Sequence, residues 1–193
     1  MGEHAEPARI SDFRARAAAR ERAAWGGGEP LTHLNDLGIQ PLAWFDRELV
    51  DAIIAADPER QRRIARWVTR RVFGWAGLAE REWVVPALRA LDDGAPPPPP
   101  FENPDDAFAR LRADSSGTVD WPYEKSVVRP QAERSPFDLG KIDRPRHAIP
   151  AFFSALDPDP LRAALGALMH ASVTFGSSAA ALHSDLRQEC GIA

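Results

Sequence analysis

Apolar positions along this chain recur at intervals of three and four, the signature of helices with one buried face. Residues 41–56 (PLAWFDRELVDAIIAA) show it clearly. Leu42, Phe45, Leu49 and Ile53 form a stripe, widened by Val50 and Ile54. Residues 160–175 repeat the pattern, with Leu161, Leu165, Leu168, Met169, Ser172 and Phe175 on one side. Residues 8–25 form a weaker version through Ile10, Phe13, Ala17 and Ala24, stopped by Gly26-Gly27-Gly28. A final helix is expected from Ser177 or Ser178 to about Glu189, and PAFFSAL at 150–156 predicts one or two turns. Strand alternation and βαβ spacing are lacking.

Three dipeptides mark helix starts: Asp57-Pro58, Asn103-Pro104 and Asp159-Pro160. The first residue accepts from a free amide of the first turn, and the proline has no N–H to leave unpaired there. A helix is predicted from Pro58 to Ala76, closed by Gly77. A second ends at Asp93 before Gly94, beginning either at Val85 with Pro86 in its first turn or near Ala79 with a kink. The two predict an αα-hairpin. Residues 95–101 read as a stiff proline-rich connector anchored by Phe101, and 104–113 as a short helix. Residues 114–148 are proline-rich and without period, so a long irregular loop is expected there. The fold class is therefore all-α: one domain over 1–193, an irregular bundle of five to seven helices, with 1–28 loosely attached.

On a helical wheel, residues 59–76 place Ile64, Ala65, Val68, Val72, Trp75 and Ala76 on one face. Trp75 reads as core, and Trp83 as packing back across the turn onto Leu88 and Leu91. Trp67 falls off the stripe, among Arg60, Arg62, Arg63, Arg66, Arg70 and Arg71, a span that contains no acid. Two readings follow. The guanidinium forks, with Trp67 beside them, suit phosphate or carboxylate, on an acidic protein partner or on a nucleic acid or phosphorylated ligand. Alternatively, they meet the chain's own acids at 36–57 and 78–110.

Composition narrows the choice. The formal net charge is −4 and the pI about 5.7, which with no recognition-helix signature argues against nucleic acid. No apolar run approaches the ~20 residues of a membrane span, and the N-terminus lacks a secretory h-region. One cysteine, Cys190, excludes an internal disulfide and fits a reducing cytoplasm. The basic residues are almost all arginine, the exceptions being Lys125 and Lys141, a bias that fits a GC-rich bacterial genome.

Searches for catalytic patterns are negative. HExxH, paired-cysteine zinc spacing, a calcium loop and a P-loop are all missing, and FGSSAAA reads as a helix stop with a cap. His170 is expected to be exposed, and His183 with Cys190 makes a poor metal site. No cofactor or metal is expected. An alternative reading makes the chain a small-molecule-binding protein or small enzyme, its site under the 114–148 loop with Trp121, Tyr123, Lys125 and Arg144 as contacts. That reading needs a cavity of at least ~300 Å³.

The segments ARWVTRRVFGWAGLAEREWVVPALRALDDG and DPDPLRAALGALMHASVTFGSS resemble small helical proteins of high-GC actinobacteria that carry no assigned activity. The resemblance implies an all-α fold and a bacterial cytoplasm, and brings no function with it. The leading expectation is a non-catalytic cytoplasmic interaction protein, an adaptor, regulator or immunity-type inhibitor, using the arginine face.

Overall fold

The computed structural model of the chain describes residues 5–115, 135–140 and 142–192. Nine α-helices occur among them, and no strand. They are α1 (Ala5–Ala24), α2 (Gln40–Phe45), α3 (Arg47–Ala55), α4 (Pro58–Trp75), α5 (Val85–Asp93), α6 (Pro104–Ser115), α7 (Arg144–Ala155), α8 (Pro160–Phe175) and α9 (Ala179–Cys190). The count exceeds the expected five to seven for two reasons. The 41–56 segment divides at Asp46, which closes α2 and whose side chain accepts from Leu49 N to start α3. The turns expected at 150–156 belong to a longer α7, opened by Asp143 accepting from Arg146 N. Helix α6 and α7 thus claim both ends of the segment expected to be irregular, 114–115 and 144–148.

The three Asp/Asn-Pro starts behave as local chemistry dictates. Asp57 accepts from Arg60 N, Asn103 from Asp106 N, and Asp159 from Leu161 N and Arg162 N. Pro86 lies in the first turn of α5.

Helix α8 is the centre, packed chiefly against α4 and α7. It is buried on most sides because its sequence alternates large and very small residues. Leu165, Leu168 and Phe175 fill space, while Ala163, Ala164, Gly166, Ala167 and Ala171 allow neighbours to approach. The segment Pro160–Cys190 is long and apolar enough to cross a membrane, yet 61% of that window is buried inside the fold. Between α8 and α9 the chain turns at Gly176–Ser178. Helix α4 presents Ile64, Ala65, Val68, Val72 and Phe73 to this core, together with Gln61 and Thr69. The two polar side chains are satisfied: Gln61 donates to Ile53 O and Thr69 to Ala65 O. The expected α4–α5 hairpin is a minor contact beside the α4–α8 and α4–α7 interfaces.

Where α7 crosses α8, a Cβ on Gly166 would lie 3.1 Å from Ser154 Cβ. Gly166→Val is therefore expected to lower stability by about 1–3 kcal/mol through overpacking. Urea denaturation checks it; a change within about 0.5 kcal/mol would show that the crossing has slack.

The side chains of α1 from Asp12 to Ala23 are mostly exposed, Phe13 at 69%, and its main neighbour is α2. Trp25 anchors the end of α1 in the core. The proline connector ends at Phe101, which is fully buried against Phe73, Trp83, Phe152 and Phe153.

Candidate functional site

The arginine face of α4 starts from a helix-end problem. The last carbonyls of any helix have no partner within it and carry partial negative charge. Arg60 donates through Nε and Nη2 to Cys190 O, at 3.1 and 2.8 Å, and reaches Gly191 O as well, closing α9. Arg62 donates to Asp157 O and Pro158 O just beyond the end of α7. Arg70 pairs with Asp92 and reaches Leu88 O on α5. Arg71 pairs with Asp185 on α9 at 2.6 Å. Four of the six arginines thus tie α4 to α5, α7 and α9. The acids expected to meet them lay at 36–57 and 78–110; Asp92 is one of these. Asp185 and the carbonyls at 157–158 and 190–191 are distant in sequence, so local reasoning had no access to them.

Arg63 and Arg66 are left. Arg63 is exposed and Arg66 half-buried. Among the described residues, every other half-buried arginine has a partner, and Arg66 has none. Arg66 walls an open cleft of about 260 Å³ with Arg62, Leu91, Gly94, Ala155 and Leu156. Gly94 ends α5 in the left-handed conformation (φ 67°), and a Cβ there would sit 3.8 Å from Arg66 Nη2. Trp67 is not the exposed ring expected. It is half-buried and packs against the core, because α4 is covered by both α7 and α8 and its buried arc is wider than one stripe.

No family model, curated protein or solved structure matches the chain.

Trp121, Tyr123 and Lys125 lie outside the described residues. Arg144 opens α7, its guanidinium carbon 4.7 Å from the centre of the Trp75 ring. Trp75 also stacks on Phe175, at 4.6 Å and 11°. Trp75 and Trp83 are both half-buried and packed against the core. Trp83, in the turn before α5, stacks on Phe101 and donates its indole N–H to Asp114. His170 is half-buried, not exposed; burial first, and then the neighbouring His147, hold its pKa below the ordinary histidine value.

A second polar constellation joins residues far apart in the sequence. His183 of α9 is 1% exposed, its Nδ1 2.9 Å from Asp46 Oδ2 and its Nε2 2.9 Å from Ser172 Oγ. A carboxylate only accepts, so Nδ1–H donates to Asp46, and Nε2 shares its hydrogen bond with the Ser172 hydroxyl. Arg187 forks onto the same carboxylate through Nη1 and Nη2. Asp46 therefore accepts two arginine N–H groups, one imidazole N–H and the Leu49 amide. Burial alone raises its pKa, but hydrogen bonds from His183, Arg187 and Leu49 outweigh this and hold the carboxyl well below the carboxylate range.

The order Ser172–His183–Asp46 is that of a nucleophilic triad, and its surroundings remove that role. Ser172 has no exposed surface. It lies inside α8, where backbone N–H groups are committed to carbonyls one turn earlier and none is left to stabilise an oxyanion. The network instead bolts the α2–α3 junction to α8 and α9. Among the described residues no three His, Cys, Asp or Glu side chains converge as a metal set.

Proposed function

We propose that this chain is a non-catalytic interaction protein that grips an acidic partner on the outer flank of α4, through Arg63 and Arg66. The observation that carries the reading is Arg66: a half-buried guanidinium at the wall of a cleft, with no acceptor among the described residues. A partly desolvated cation gains more from a partner than a fully solvated one does, because fewer waters compete for it. Arg63 is exposed one turn away and adds attraction at longer range. Arg60, Arg62, Arg70 and Arg71 hold the helix in place and are not offered as contacts. The single cysteine supports a reducing cytoplasm as the compartment.

The test is charge reversal. A partner captured by the wild-type chain from its native host is expected to bind the Arg63→Glu/Arg66→Glu variant at least about tenfold more weakly. Arg89→Glu, on an exposed position of α5, is expected to bind as wild type. Thermal melting of both variants checks that they fold. If every captured partner stays bound to the doubly reversed, folded chain, this surface is wrong.

A further inference from the structure

We infer that the Arg66 cleft takes one carboxylate on a short aliphatic stem, as a glutamate side chain presents it, and not a phosphoryl group. This rests on the reading above and narrows it to a ligand class.

Donor supply is the first reason. A phosphoryl dianion has three terminal oxygens and is met in proteins by several N–H groups, commonly at a helix N-terminus. The Arg66 cleft offers the opposite pole. It lies where the C-terminal ends of α5 and α7 converge, and those ends carry partial negative charge. The backbone N–H groups of Gly94 and Ala95 are closed onto Leu91 O and Ala90 O, leaving nothing to donate. Arg62 is committed to the carbonyls beyond α7. Arg66 is the one guanidinium of the cleft with no acceptor among the described residues. A fork matches the two oxygens of a single carboxylate, whereas a phosphate brings a third oxygen and a second charge beside two negative helix ends, which oppose a dianion more than a monoanion.

Shape is the second reason. Leu91, Ala155 and Leu156 give the cleft an apolar side, suited to methylene groups behind the charge. Its volume, about 260 Å³, falls below the ~300–1,000 Å³ of small-molecule sites and suits a side chain. Glutamate has two methylenes before its carboxylate; aspartate has one and reaches less of this wall.

The experiment uses the full ¹⁵N-labelled chain and three probes: 4-methylpentanoate, its neutral amide and methyl phosphate. The readout is the Nε–Hε resonance of Arg66, assigned by its loss in Arg66→Lys. Saturable movement with 4-methylpentanoate is expected, with methyl phosphate at least about tenfold weaker and the amide inert. In Arg66→Lys, which keeps the charge and loses the fork, 4-methylpentanoate binding followed at the amides of Leu91 and Leu156 is expected to weaken about tenfold. Equal response to carboxylate and phosphate, no response to either, or an unaltered affinity in Arg66→Lys overturns the inference. The two readings fail separately. If charge reversal releases the partner but 4-methylpentanoate does not bind, the ligand class falls and the surface stands. If the carboxylate binds while the charge-reversed chain keeps its partner, the cleft stands and the partner surface falls.

Discussion

Phe101→Ala is expected to lower the unfolding free energy by about 3–5 kcal/mol. Phe101 follows five prolines and is fully buried. Its ring is 4.6 Å from Phe152, 5.5 Å from Trp83, 6.1 Å from Phe73 and 6.1 Å from Phe153. These partners come from α4, the turn before α5, and α7, so one ring joins three parts of the chain. Truncation removes the transfer term, leaves a cavity that rigid neighbours cannot fill, and deletes the aromatic contacts, each worth about 0.5–1.5 kcal/mol beyond buried area. Guanidinium denaturation followed by tryptophan fluorescence reads the effect, since Trp83 stacks on the ring. A loss under about 1.5 kcal/mol would mean that the connector is a loose spacer rather than an anchored strut.

The second large effect is expected at Asp46. Asp46→Asn leaves Arg187 and His183 facing a neutral amide that cannot satisfy both. Breaking a buried ion pair by removing one partner costs about 3–5 kcal/mol; Arg187, 32% exposed, recovers some hydration, so the lower end is expected. The amide oxygen still caps Leu49 N, so loss of α3 is not the cause. Acidity gives an independent check. The folded carboxyl is held well below its ordinary value of 3.8, so the unfolded chain binds the proton first. The stabilisation from Asp46 is then complete above about pH 4 and is lost as pH falls through the depressed folded value. The stability gap between wild type and Asp46→Asn should therefore be widest near neutrality and narrow progressively in acid. Denaturant melts at pH 7, 4 and 2.5 measure it. A gap that stays constant across that series would show that the carboxylate charge is not what holds α9 to the α2–α3 junction.

Much of the fold is legible in the sequence. Asp57, Asn103 and Asp159 announce helix starts because the cap needs only a side-chain oxygen and amides two or three residues on. The core stripe of α4 was legible because helical period alone puts Ile64, Val68 and Val72 on one side. Trp67 was misplaced because a wheel shows how residues are arranged around a helix, not how many neighbours cover it. Asp46 lies within an apolar run: its value as a cap is local, but its other partners lie at 183 and 187. A histidine between Leu182 and Leu186, both buried, was the one hint available, since a buried imidazole must find an acceptor.

The arginine face draws the line between the two kinds of information. That six arginines lie between positions 60 and 71 is a property of the chain. Local physics also decides where the helices begin, which face is apolar and where glycine ends them, since each of those interactions closes within about one turn. Which guanidinium groups are already engaged is decided elsewhere, by α5, α7 and α9 bringing carbonyls and carboxylates from 18 to 131 residues away into hydrogen-bonding range. Only the assembled helices leave Arg66 without an acceptor among the described residues, because pairing over such separations depends on packing and not on period.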